Sequence, residues 1–156
     1  MTEQQMFDIK FRIAWSFQLE KLNAILFRRL DKFILFTQFV LGSAVITERG
    51  SSFLLGVLVA VLAGLQFVIK PGEAAGAGKG QAQCYSELLD DMDAGCIDAN
   101  TAVQKIKIIE KSDSDTVMSL REPARNAACR MLGVVEDGKP SSFGRFLAWV
   151  CGERIL

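Results

Sequence analysis

Lys70 to Gln81 reads KPGEAAGAGKGQ, and its Gly78-Lys79 pair has the form in which a phosphate-binding loop ends. In such a loop, GxxxxGK followed by Ser or Thr, backbone N–H groups cradle phosphates and the hydroxyl holds magnesium. Here the first glycine position is Glu73 and the residue after Lys79 is Gly80. A carboxylate therefore stands where phosphate must approach, and the metal ligand is missing. The loop must also follow a buried strand. What precedes it is GSSFLLGVLVAVLAGLQFVI, Gly50 to Ile69, which carries no charge. The stretch 70–82 is read instead as a flexible Gly/Ala-rich linker.

Other chemistry fails on similar grounds. Cys84, Cys96, Cys129 and Cys151 form no CxxC pair and the chain has no histidine. Scattered apolar thiols in a reducing compartment fit better than zinc, although a site of four single thiolates stays open as an alternative. Without histidine the commonest general base is absent, and no set of nucleophile, base and oxyanion donors emerges; the expectation is a non-enzymatic protein without cofactor. DMDAGCIDANTA, Asp91 to Ala102, resembles a calcium loop only in its acidity: its sixth residue is Cys96 rather than Gly and its twelfth is Ala102 rather than Glu. The 18 basic and 18 acidic residues balance, which speaks against nucleic acid as a partner.

The strongest signal is apolar. Gly50 to Ile69 would span about 30 Å as a helix, the thickness of bilayer hydrocarbon. FILFTQFVLGSAVIT, Phe33 to Thr47, is shorter but also uncharged, and only Glu48, Arg49 and Gly50 separate the two runs. The pair reads as a transmembrane helical hairpin over 33–69. Lys21, Arg28, Arg29 and Lys32 before it, and Lys70 and Lys79 after it, place both termini in the cytoplasm. Thirty charged and amphipathic residues precede the first apolar run, which does not fit a signal peptide. Ser52, Gly56, Ala60 and Gly64 form a row at spacing four where another helix can approach closely, so helix association is expected there; ordinary abundance of small residues in membrane helices accounts for the row equally well. Thr37, Gln38, Ser43 and Gln66 are the polar groups at membrane depth. They would either bond between helices or line a wet path, with a Gln38–Gln66 bond favoured.

Outside the apolar runs the period is helical. Phe11, Trp15, Leu19, Leu22, Leu26, Leu30 and Phe33 recur at intervals of four and three, so residues 1–32 form an amphipathic cytosolic helix continuous with the first span. Residues 83–134 carry further cytosolic helices. The first sets Tyr85, Leu88, Leu89 and Met92 on one face and stops at Gly95; the second is capped by Asp98 or Asn100. A third spans 114–132, begun anew or kinked at Pro123, with Ala124, Ala127, Ala128, Met131 and Leu132 inward. Residues 135–156 are a loop and an amphipathic helix with Phe143, Phe146, Leu147 and Val150 on one stripe and Trp149 beside it. That helix docks on the bundle or lies in the membrane interface. Tyr85, Leu88 and Met92 are expected to cover the stripe from Phe11 to Leu26.

This order of parts, with a second span ending LQFVIKPGEAA and a following QAQCYSELLDDMD helix, resembles the SLATT superfamily, two-span membrane proteins of bacterial conflict systems. The resemblance covers about residues 5 to 95 and rests on architecture and hydropathy. It implies an oligomeric, pore-forming effector of the bacterial inner membrane, silent until a sensor partner or nucleotide signal acts. A phage membrane protein, either holin-like or an exclusion factor, and a membrane-anchored scaffold are the competing expectations.

Overall fold

Neither glycine nor proline interrupts the chain before Gly42, and in the computed structural model residues Glu3–Ile46 form one 44-residue helix, α1, about 66 Å long at the rise of an α-helix. The structure describes residues 3–46, 52–136 and 138–153. Glu48, Arg49 and Gly50, the expected hairpin tip, and Arg154 in the tail lie outside them. The further helices are α2 (Ser52–Ile69), α3 (Pro71–Asp93), α4 (Ala99–Ile109), α5 (Arg121–Leu132) and α6 (Ser142–Cys151), with single 3₁₀ turns at Glu110–Ser112 and Met118–Leu120. No strand occurs among the described residues.

The expected linker 70–82 is helical, a correction to the sequence reading. Lys70 adopts a left-handed conformation, φ 46° and ψ 54°, and Pro71 opens α3 directly. Proline disfavours the right-handed helical region for the residue before it, and its fixed φ suits the first helical position. The glycines and alanines that suggest flexibility pack. Seven of the nine buried positions along α3, Pro71, Ala75, Gly78, Ala82, Tyr85, Leu89 and Met92, alternate at four and three, with Gln81 and Leu88 beside them, the spacing of a coiled-coil seam against a neighbouring helix. That neighbour is α1, running antiparallel. A Cβ at Gly78 would stand 3.3 Å from the Glu20 carbonyl oxygen and 3.4 Å from the Ala24 Cβ; a residue without a side chain lets the two helices close at this level.

α1 is covered on more than one side, which redistributes the expected stripe. Ile13 and Ala14 pack with Tyr85, Leu88, Leu89, Met92, Ala102, Ile106 and Ala128, and Phe11 and Trp15 border that cluster. Leu22 instead joins Leu120, Ala124, Leu147 and Cys151, flanked by Leu19 and Leu26. Tyr85, Leu88 and Met92 thus cover only the Phe11–Trp15 end. A single-stripe argument assumes one buried face, whereas a central helix has two. Leu30 and Phe33, further along the same stripe, are exposed.

The helix ends follow their local chemistry. Asp98 caps α4, accepting from the Thr101 N–H at 3.2 Å. Gly95, at φ 69°, turns the chain after α3. α5 begins at Arg121, with Pro123 in its first turn and residues 113–117 non-helical before it. Ala124, Ala127 and Ala128 face inward as expected, but Met131 is exposed. α6 packs through Gly144, Leu147, Ala148 and Cys151, not through Phe143, Phe146 and Val150. The reason is Gly144: a Cβ there would lie 2.7 Å from the Ser119 carbonyl oxygen, so the glycine side of the helix is the one that can approach.

The helical stretch Phe53–Asp93, which takes in α2 and α3, contains a window long and apolar enough to cross a membrane, and none of that window is buried. It is the one such helix among the described residues.

Candidate functional site

α2 meets α1 along one edge and leaves the other bare. Its half-buried residues are Leu55, Val59, Leu62 and Gln66, again at intervals of four, three and four. The gap from Gln66 to Pro71 is five residues, and the left-handed backbone at Lys70 takes up the difference between the two seams. The small-residue row lies off this edge. Gly56, Ala60 and Gly64 are exposed, and a Cβ added at either glycine would meet nothing within 4 Å. Gly56, Ala60 and Gly64 therefore do not join α2 to α1 and face outward; Ser52 opens the helix.

The polar groups near this surface are mostly satisfied within the chain. Thr37 Oγ1 donates to the Phe33 carbonyl at 2.8 Å and Ser43 Oγ to the Phe39 carbonyl at 2.9 Å, the back-bonding by which helical Ser and Thr hide a hydroxyl. Gln66 does not pair with Gln38. Its Nε2 donates to Asp31 Oδ1 at 3.1 Å, because Asp31 stands at its level on α1 while Gln38 lies seven residues, about 10 Å, further along the helix. Gln38 Nε2 is buried with no hydrogen-bond partner among the described residues. Asp31, Gln66, Lys70 and Glu73 line an open cleft where α2 turns into α3, and Lys70 pairs with Glu73 at 3.4 Å.

Beyond Asp31 the α1–α3 seam holds a polar network that hydropathy does not reveal. Glu20 and Asn23 are buried on α1 and Gln81 on α3. Glu20 accepts from the Ser114 hydroxyl and, at 3.2 Å, from the Ser114 N–H. Asn23 donates to the Asp115 carbonyl and accepts from the Val117 N–H, both at 3.3 Å. Gln81 donates to the Ile109 carbonyl and to Asp113. The segment 113–117 is thus held to two helices by side chains that stand in for missing backbone partners. Burial pushes the Glu20 carboxyl up, the nearby Asp113 charge adds to this, and the Ser114 bonds oppose it. Burial and the Asp113 carboxylate likewise push the Tyr85 phenol up. The sequence signal that could have exposed these residues is their place at seam positions: Gln81 neighbours Ala82 in the heptad, and Glu20 and Asn23 flank Leu22.

Cys84 and Cys96 are exposed, Cys129 and Cys151 buried. No group of three or more Cys, Asp or Glu is placed to hold a metal ion among the described residues. The class that fold and surface define is an all-α protein with one uncovered helix of membrane-spanning length. No protein-family model, no curated protein and no solved structure matches the chain.

Proposed function

We propose that the chain is a two-span protein of the bacterial inner membrane, with the apolar end of α1 and the whole of α2 crossing the bilayer and both termini in the cytoplasm. It assembles into homo-oligomers through the Ser52, Gly56, Ala60 and Gly64 row and acts without enzymatic chemistry, as a membrane-perturbing effector of the kind found in SLATT-like conflict systems. The observation that carries this reading is the bare outer edge of α2, apolar throughout and open above both glycines. Helices in lipid associate where small residues let backbones approach, since apolar side chains gain little by leaving lipid tails. The polar bundle beside the membrane is the natural place for a sensor partner to act.

Gly56→Ile and Gly64→Ile test the interface. Both should shift the detergent-solubilised protein from oligomer to monomer by mass measurement and abolish growth inhibition on overexpression, while Leu58→Ile changes neither. A wild-type protein that is strictly monomeric would remove the effector reading.

A second reading, a membrane-anchored scaffold, is favoured by a specific observation: Thr37 and Ser43 bond to their own helix and Gln66 to Asp31, which leaves the buried Gln38 Nε2, among the described residues, as the one of these side-chain donors without a partner. Ion leakage from reconstituted vesicles that Gln38→Leu abolishes supports a conducting path. Assembly without leakage supports the scaffold.

A further inference from the structure

α6 is firmly docked by its inner face yet presents an outer face that stays open among the described residues. Ser141 caps it, accepting from the Gly144 N–H at 3.0 Å, and Leu147, Ala148 and Cys151 are buried beneath it. Phe143, Phe146 and Trp149 stand on the other side, 59, 55 and 67% exposed. Three large aromatic residues on one ten-residue helix are more than a water-facing surface tolerates without a partner.

The position of the helix identifies that partner. Arg29 donates through Nη1 to the Val150 carbonyl, and Cys151 Sγ lies 3.4 Å from the Leu22 carbonyl oxygen. Arg29 is one turn, about 6 Å along the axis, from Phe33. There the exposed aromatic edge Phe33, Phe36 and Phe39 begins, 66, 66 and 73% exposed. The C-terminal end of α6 therefore lies along α1 between Leu22 and Arg29, on the cytoplasmic approach to that apolar edge. Its composition suits that level. Ser142, Arg145, Phe146 and Trp149 line a shallow groove of about 290 Å³, with a guanidinium beside the aromatic rings, and Arg28 and Lys32 are exposed close by on α1. Tryptophan, whose ring has a polar edge, settles at the boundary between headgroups and acyl chains, with phenylalanine on the apolar side and arginine and lysine flanking it.

We propose that the outer face of α6 is a lipid-binding foot: Phe143, Phe146 and Trp149 enter the headgroup–acyl boundary of the cytoplasmic leaflet, and Arg145 contacts lipid phosphate. This rests on the membrane reading of the hairpin. It makes α6 a third contact with the bilayer, so the bundle is held against the membrane surface and does not stand clear of it.

The full chain reconstituted in vesicles of phosphatidylethanolamine and phosphatidylglycerol tests this. The protein has two tryptophans, and Trp15→Phe leaves Trp149 as the sole reporter; should that variant fold poorly, the difference between wild type and Trp149→Phe isolates the same signal. Co-flotation with the vesicles reports insertion of the hairpin separately. The expected result is Trp149 emission quenched about twofold by lipids brominated near the carbonyl end of the acyl chain, as interfacial depth requires, and protected from iodide. Phe143→Ser with Phe146→Ser should weaken the quenching and leave flotation intact. Flotation with Trp149 open to iodide and untouched by brominated lipid overturns the foot and leaves the hairpin standing. Protection from iodide without lipid quenching also overturns it, in favour of a protein cover. Loss of flotation in the wild type removes the hairpin reading and the foot with it.

Discussion

The Tyr85 hydroxyl donates to Asp113 Oδ1 at 2.8 Å, joining the middle of α3 to the loop that follows α4. Tyr85 is fully buried, and its bond to a carboxylate lets a large aromatic residue occupy the core with its polar end satisfied. Tyr85→Phe keeps the ring and loses the hydroxyl's hydrogen bonds with Asp113 and Ser16. Because Asp113 is exposed and keeps Gln81 as a donor, the cost should fall at about 1 kcal/mol, read as a lowered melting temperature of the solubilised chain. An unchanged melting point would show that the loop is held by Gln81, Glu20 and Asn23 alone.

Gly78 and its neighbours Gly76 and Gly80 should respond in opposite directions. Gly78 touches Glu20 and Ala24, whereas a Cβ at Gly76 or Gly80 meets nothing within 4 Å. Gly78→Leu overfills the seam and should cost about 1 to 3 kcal/mol. Gly76→Ala and Gly80→Ala, in open helix interior, should each add about 0.5 to 1 kcal/mol. If all three behave alike in thermal unfolding, 70–82 is the flexible linker that its composition suggests.

Glu20 gives stability a definite pH slope. Its folded-state carboxyl is raised above the ordinary value of 4.5, chiefly by burial. From about that value upward to the raised one, the folded chain retains a proton that the unfolded chain has lost, so Glu20's contribution is full below the window and falls as pH rises through it. Glu20→Gln keeps an oxygen that can accept from the Ser114 N–H and removes the titration. Melting temperature plotted against pH should therefore be flatter above 4.5 in the variant; parallel curves would show that Glu20 is solvated.

Thiol reactivity should divide the cysteines in two pairs. Cys84 and Cys96 are exposed, while Cys129 and Cys151 are buried, and burial pushes the Cys151 thiol up to about 11 against the lowering influence of Arg29. Two thiols per folded chain should react fast and two only on unfolding. The exposed pair also reports orientation: an impermeant maleimide should miss Cys84 and Cys96 in intact cells and label both after lysis. Labelling from outside would reverse the proposed topology.

Helix content is legible because Gly and Pro are absent before Gly42 and because Asp98, Gly95 and Pro123 mark ends by local chemistry. The inward face of α3 is readable from Tyr85 onward but not back to Pro71, since glycine and alanine carry no hydropathy contrast and a close-packed seam of small residues looks like a linker. On α1 the apolar stripe hides Glu20 and Asn23, whose burial depends on Ser114 and Val117, 94 residues away in each case. Gln66 is recognisable as a bonded group, but its partner is Asp31, a charge just outside the apolar run and therefore outside a search for polar groups within it. The face of α6 escapes sequence reading because a close backbone approach at Gly144 outweighs the larger apolar area of Phe143 and Phe146.

The break at Lys70 makes the two arms of the hairpin mechanically unequal. α1 is a stiff strut without a joint from Glu3 to Ile46, whereas the return path is articulated at one left-handed residue. A tilt of the apolar end would pass to the bundle directly through α1, whereas on the return path it would meet the change of direction at Lys70, which the Lys70 N–H bond to the Gln66 carbonyl and the Ala74 N–H bond to the Lys70 carbonyl hold on either side. Load would thus travel along a straight rail on one side and a bent one on the other, and the Asp31–Gln66 hydrogen bond ties the two together beside the bend.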